Sequence, residues 1–455
     1  MKSHLIAENS LPREASELSG SRTRASTTLP SQTPQRLRCR RSVDLLGAVR
    51  SAPGRIAIAL THRNFRLLWM GALTSSTGTW MQKVAQAWLI VAMTGPGSAF
   101  FLGLESFLGE SPLLLLTMLG GVFADRRDRR HMILMSQITQ MLVALVLALL
   151  IYTGRIHIAH VLALSLVAGC GRAFGGPAYQ SLIPTLVGKK HLPNAIALNS
   201  IQFNLAQVIG PIVAGAALAA FGMVACFGLN VISFLFVIAA ILALRDVQVP
   251  PRATESMVAQ FRGGLRFVQG SSNFITVVGL GFFVAFLGAP LLTFLPIITR
   301  DVFHRDVGFY TQLMTFSGAG AVVGALIAAW LGEHKHMGRI LLILLALFGT
   351  TIVGFGLSRR IYLSALILFT GGSLFVMSSS LTTSLAQLLA PPEFRGRVMS
   401  IYLVAFLGGS PLGALTSGWL VTRIGSAPMM LVINGMVLTL VALYFLIYGQ
   451  SLKDI

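Results

Sequence analysis

Four ionisable side chains stand inside otherwise apolar stretches of this chain: Lys83, Glu105, Glu110 and Arg172. A charge near the centre of a bilayer costs at least about 2.5–3.5 kcal/mol, so such a residue needs a partner or a water-filled face. Two carboxyls and two cations can exchange protons and hold ionic ligands. The remaining residues offer no competing chemistry. The three cysteines, Cys39, Cys170 and Cys226, have neither metal-ligand spacing nor the makings of a disulfide framework. No nucleophile–base–acid set and no phosphate-binding glycine loop can be found. The expectation is therefore no enzyme, no resident cofactor and no metal.

The elements that must position these charges are helices. The turn Thr94–Gly97 separates two apolar stretches, with Lys83 before it and both glutamates after it. At about 1.5 Å per residue all three lie roughly 12–20 Å below that end, and Lys83 sits between the carboxyls in depth. A Lys–Glu pair between the first two helices is thus geometrically open. Glu105 and Glu110 are about 140° apart around their helix, which predicts that they do not both face one narrow cavity. Glu110 follows Gly109 and precedes Ser111-Pro112, where a loosened helix admits water; it is the preferred proton-exchanging group, with Glu105 second. A permanently paired ion cluster with Lys83 is the alternative. Arg172 suits an anionic ligand, a tuning charge for a glutamate, or a bond to backbone carbonyls. Trp80, Trp88, Phe174 and Tyr179 lie on the same helices and suit either an apolar cargo or packing against lipid.

A hydrophobic share of 54%, charged residues at 11% and a mean hydropathy of +0.75 indicate a polytopic membrane protein. Twelve apolar spans are expected, near 66–93, 98–123, 132–153, 158–186, 195–221, 223–244, 274–298, 309–331, 338–357, 361–389, 398–421 and 427–448. Each suffices for about 20 residues of helix, and an open sheet would leave backbone groups unpaired in lipid. The fold class is all-α, with twelve transmembrane helices in two six-helix bundles. The formal charge of +20 suggests nucleic acid, but its distribution excludes that reading. Expected outer loops carry only Arg155, Arg300, Arg305, Arg359, Arg360 and Arg423, and nearly all other Lys and Arg fall on the cytoplasmic side. That bias places both termini inside a cell (inner) membrane.

Residues 1–64 read as a basic cytoplasmic tail, disordered at first and then interfacial from Val43 to Arg66. Residues 65–245 form a first bundle, 246–272 a central cytoplasmic loop and 273–450 a second bundle. Internal similarity supports the division, since Ser200-Ile201 and Pro211 recur as Ser400-Ile401 and Pro411. No apolar core with a cleavage site precedes the first span, so that helix is expected to act as its own insertion signal.

Between the second and third spans stands Gly121-Val-Phe-Ala-Asp125-Arg126-Arg127-Asp128-Arg129-Arg130. It resembles motif A of the major facilitator superfamily through Gly121, Asp125, Arg126, Arg129 and Arg130, with Asp128 in place of the second glycine. Gly78-Thr-Trp80-Met-Gln82-Lys-Val-Ala-Gln86, Leu192–Ser200 and Pro391–Val398 are similar to a bacterial exporter branch that includes the enterobactin exporter and macrolide-efflux permeases. Gly210-Pro211 and Gly215 resemble the end of motif C of proton-coupled antiporters, although close helix packing also accounts for small residues there. Ala87, Gln207 and Gly175–Gln180 depart from residues common in the branch.

The resemblance implies alternating access and proton-coupled efflux of small amphipathic molecules, such as a drug, siderophore or metabolite. It places Arg172, Trp80, Gln82, Gln86, Phe174 and Tyr179 at the cargo cavity and assigns the Asp125 loop to a cytoplasmic gate. The expected partners are a small-molecule substrate, protons and the lipid bilayer, without nucleic acid, and the chain is expected to be a monomer. Lipid or lysolipid translocation and a non-transporting membrane sensor are the competing readings.

Overall fold

Among the described residues of the computed structural model, every regular element is helical. These residues are 58–126, 128–245, 270–331, 336–391 and 395–449. The side chains of Pro96, 117–126 and Arg397 fall outside the description, as do the expected tail through residue 57 and the loop 246–269. Gly121, Asp125 and Arg126 therefore lie outside the described side chains.

A short 3-10 helix, Ile58–Thr61, leads into α1, Arg63–Thr94. The turn Gly95–Gly97 is followed by α2, Ser98–Arg126, and then α3, Arg129–Tyr152. Next comes an 85-residue helical run, Ile158–Leu242, far longer than a bilayer is thick. It reverses at Gly188 (φ 69°) and Gly222 (φ 77°), a backbone region that favours glycine. We label its parts α4 (158–187), α5 (189–221) and α6 (223–242).

The second half has α7, Ser272–Asp301, in three pieces: Ser272–Gly288, Pro290–Thr293 and Leu295–Asp301. Pro290 and Pro296 lack the N–H that would continue the helical ladder; Pro290 begins the second piece and Pro296 lies in the first turn of the third. Then follow α8 (Val307–Leu331), α9 (Met337–Leu357), α10 (Ile361–Leu389), α11 (Arg395–Ile424) and α12 (Ala427–Tyr448). Among the described residues nine runs have the length and apolar composition to cross a membrane. Dividing the long run at its two glycines and adding α1 is consistent with the twelve expected crossings. Large apolar side chains such as Leu149, Phe236, Leu326 and Leu440 are exposed, as lipid-facing positions require. Tyr152, Trp330, Tyr362 and Tyr448 are exposed near helix ends, where amphipathic rings suit a membrane interface.

Among the described residues the buried side chains form three clusters. One belongs to the first half, with Phe65, Ile133, Leu182 and Phe234. A second belongs to the second half, with Phe274, Leu341, Leu385 and Tyr402. The third joins both halves and gathers Ile90, Leu102, Val143, Phe227, Leu295, Tyr310, Phe355 and Met430. Its members come from the parts of the helices nearest the Gly95–Gly97 turn, the expected outer end. The halves thus share one core at the end nearest the Gly95–Gly97 turn and keep separate cores at the other.

Among the described residues the most extensive crossings between the halves are α2 with α11 and α5 with α8. A Cβ at Gly103 would strike the Ala414 carbonyl, and one at Gly418 would lie 2.6 Å from the Ala99 carbonyl oxygen. A Cβ at Gly215 would lie 2.6 Å from Thr311 Oγ1. Small residues let these backbones meet, and dispersion between them replaces lipid contact.

Candidate functional site

The charged residues singled out above converge on one cavity of about 400 Å³. On α1, Gln82 and Gln86 share a face at four-residue spacing, with Lys83 beside them. Glu105, Gly109 and Glu110 come from α2, and Ser165 and Arg172 from α4. Lys83 Nζ lies 3.7 Å from Glu110 Oε1, so of the two glutamates whose depth left a pairing open it is Glu110 that faces the lysine. The two side chains are 44% and 34% exposed, so water reaches the pair. The ammonium also stands 5.2 Å from the centre of the Trp80 ring, within cation–π range.

Glu105 is tied differently. Its Oε1 accepts from Gln86 Nε2 at 2.7 Å and from Ser165 Oγ at 3.1 Å. Gln86, itself buried, also donates to Ser165 Oγ at 2.9 Å and accepts from Gln82 Nε2 at 3.4 Å. Asn230 of α6 donates to Gln82 Oε1 at 2.7 Å. A polar chain thus runs from α6 through α1 to α2 and α4. Asn230 was missed in the sequence, where its signal was a lone amide inside an apolar span.

Both glutamates line the same cavity, which corrects the expectation drawn from their angular separation. The cavity extends around α2, so residues on two sides of that helix reach it. Arg172 takes the role of carbonyl ligand, its Nη2 donating to Gly109 O at 2.6 Å. Gly109 and Gly169 allow that approach, since a Cβ at Gly169 would meet the Gly109 carbonyl.

A neighbouring cavity of about 590 Å³ shares Trp80, Lys83, Arg172 and Phe203 with the first. Tyr179 lines it and donates to Asn199 Oδ1 at 3.1 Å. Phe203 meets the Trp80 ring edge-on, with centres 6.3 Å apart. Phe174 lines neither cavity, contrary to expectation. It follows Arg172 by two residues, about 200° around the helix, and instead lines a crevice with Met132, Met135 and Gly171.

The second half contributes a different kind of wall. Ala289, Leu292, Met314 and Phe375 are apolar, and Thr293, Tyr310 and Ser410 add hydroxyls. Among the described lining residues no charge comes from this half. One wall is ionic and the facing wall is largely apolar.

Of the motif residues, Arg129 Nη1 donates to Ser181 O on α4 at 3.0 Å. Arg130 Nη2 donates to Leu242 O, at the end of α6, at 2.7 Å. Asp128 caps α3 by accepting from the Arg130 backbone N–H. Gly210 and Pro211 are buried. A Cβ on Gly210 would strike Trp80 Cβ and lie 3.1 Å from Thr77 O, so this glycine seats α5 on α1. Gly215 serves the α5–α8 crossing already described.

A family model described as "Transmembrane secretion effector" matches residues 57–453. The enterobactin exporter EntS of Shigella boydii serotype 4 is 27% identical over 368 residues, covering 80% of this chain and 87% of that protein. The EntS protein of Citrobacter koseri is 26% identical over 391 residues, covering 85% of this chain and 93% of its own. The crystal structure of the nucleoside transporter NupG matches with a TM-score of 0.69 at 14% identity, over 84% of this chain and 99% of that one. At that identity the likeness is one of fold.

Proposed function

The chain belongs to the transmembrane secretion effector family of the major facilitator superfamily, a membrane transporter by that kinship, and we propose that it exports small amphipathic molecules in exchange for protons. The observation that supports this reading is the two-faced cavity, with Lys83, Glu105, Glu110 and Arg172 on one wall and Leu292, Met314 and Phe375 on the other. A cargo with a polar end and an apolar body matches both walls at once. The enterobactin exporters among the relatives favour the outward direction.

Glu110 is the coupling group in this proposal, because it is water-accessible and paired with a cation that can hold or release it. One proton crossing 100 mV supplies about 2.3 kcal/mol, enough to work against a cargo gradient. Transport proceeds by alternating access of the two halves, with the Asp125, Arg126, Arg129 and Arg130 loop as the cytoplasmic gate. The bonds of Arg129 and Arg130 to α4 and α6 suit that role by tying the loop to the first half.

The reading is tested in vesicles holding the purified full chain and an imposed pH gradient. Adding exported amphipathic compounds should dissipate the gradient in proportion to flux. Flux without dissipation would remove proton coupling, and an inert response across the compound panel would remove transport. The cavity assignment has its own check. Trp80→Leu should raise the KM for cargo by roughly 3–10-fold, as loss of an aromatic contact worth about 0.5–1.5 kcal/mol implies. Phe174→Leu should leave KM unchanged, and equal effects of the two would displace the cavity from this face of α4.

A further inference from the structure

We propose that Arg300, at the tip of α7, is the latch that holds the outer ends of the two halves together. The proposal rests on the alternating-access reading above. Its starting observation is topological: Arg300 is a cation on the side of the membrane where the chain places few. The side chain also reaches across the interface between halves. Its Nη1 donates to Val91 O at 2.6 Å and its Nη2 to Gly95 O at 3.4 Å, residues 209 and 205 positions away.

Those acceptors belong to the C-terminal turn of α1 and the residue that follows it. The last carbonyls of a helix have no partner within it, and the helix dipole makes this end attractive to a cation. Arg300 supplies both the donor and the charge. On its other side, Asp301 holds the guanidinium, with Nη2 to Oδ2 at 3.1 Å and Nε to Oδ1 at 2.5 Å. When Arg300 leaves α1 it therefore keeps one charged partner, and the charge is not stranded.

The carrier of the latch is set off from the rest of α7 by two irregular junctions. Arg300 lies on the seven-residue piece Leu295–Asp301, which carries Pro296 in its first turn and follows the short piece Pro290–Thr293. A short piece joined through non-helical Phe294 can pivot without dragging the whole helix. Next to it, Trp88 of α1 stacks on Tyr310 of α8 with ring centres 6.0 Å apart. Thr311, buried against Gly215, closes the same end. Opening the outer end separates all of these contacts, and Arg300 contributes the charged, directional one.

The test uses the full chain with its native cysteines replaced by serine and Thr311→Cys as a reporter. Thr311 is only 4% exposed, so a membrane-impermeant maleimide added outside labels this position when the outer end opens. Arg300→Ala should raise the labelling rate at least roughly tenfold, the shift expected for losing the charge-assisted bond to Val91 O alone, before the longer one to Gly95 O is counted. Arg300→Lys should give an intermediate rate, because one ammonium cannot span two carbonyls. Gly418→Leu, a wedge at the α2–α11 crossing, is the positive control.

If the wedge opens the reporter and Arg300→Ala does not, the latch is wrong while alternating access survives. If neither variant changes labelling, the outer end does not open and the underlying reading fails with it. A size-exclusion profile matching the parent protein is required of each variant. Should Arg300→Ala not be recovered folded, the decision passes to Arg300→Lys, and parental labelling there overturns the proposal.

Discussion

Glu110→Gln is expected to abolish uphill export while leaving cargo exchange across the membrane intact. Glutamine keeps the shape and the hydrogen-bonding oxygen of the side chain but has no proton to release. A carrier driven by one proton per cargo across 100 mV can sustain a gradient of about fifty-fold, from about 2.3 kcal/mol of driving energy. In the variant that gradient should relax to parity, and cargo binding should lose its pH dependence. Folding should be little affected. The Lys83–Glu110 pair is 3.7 Å apart and both groups are at least one-third exposed, and such pairs contribute about 0–1 kcal/mol.

The contrast with Glu105 makes the test specific. Glu105 accepts from Gln86 and Ser165, binding α1, α2 and α4 together, and Glu105→Gln retains an oxygen for those donors. Its effect on coupling should be smaller, and what loss it has should appear as lower stability, since charge-assisted bonds weaken to neutral ones. The readout is the ratio of cargo across vesicles with and without a proton gradient. Uphill export by the Glu110→Gln protein would end the assignment. Equal behaviour of both variants would leave the glutamates as structural partners of Lys83.

What was legible in the sequence followed from one-dimensional patterns. Apolar runs of membrane length located the helices, and the turns after spans four and five appear at Gly188 and Gly222, where only glycine is comfortable. Depth along a helix is a count of residues, which is why a pairing of Lys83 with one of the two glutamates was open from the sequence, though not which one. Position around a helix was less dependable. An angular argument placed Glu105 and Glu110 on different faces, which is correct, and then assumed a cavity too narrow to touch both, which is not. The same kind of argument, had it been made, would have moved Phe174 away from Arg172. Partners contributed by distant segments were not legible at all. Nothing local marks Val91 as the acceptor for Arg300, or Asn230 as the amide that completes the Gln82–Gln86 chain. These contacts are set by how many similar helices pack together, and a stripe of small or apolar residues fits many neighbours equally well.

Glycine substitutions at two crossings should separate contacts that stay closed from contacts that must open. Gly320 of α8 packs on α10 inside the second half. A Cβ there would strike the Phe369 carbonyl and lie 3.0 Å from Phe369 Cα, and Gly324 and Gly372 are equally tight against Ser373 and Ser317. The obstructing atoms are backbone, so Gly320→Val can be accommodated only by pushing two helices apart. Overpacking of this kind costs about 1–3 kcal/mol or more, which for a bundle of this size lowers the unfolding midpoint by roughly 3–12 °C. Yield of folded protein should fall with it. Gly103 of α2 is as crowded, with its Cβ position 3.1 Å from Leu415 Cα and closer still to the Ala414 carbonyl. That neighbour, however, belongs to the other half. Gly103→Val can be relieved by letting the outer ends part, a movement the proposed cycle already contains. Its folded yield and midpoint should stay near those of the parent, while labelling of a Thr311→Cys reporter from outside rises and transport falls. A matching loss of yield in both variants would mean that the two halves do not move apart at the α2–α11 crossing.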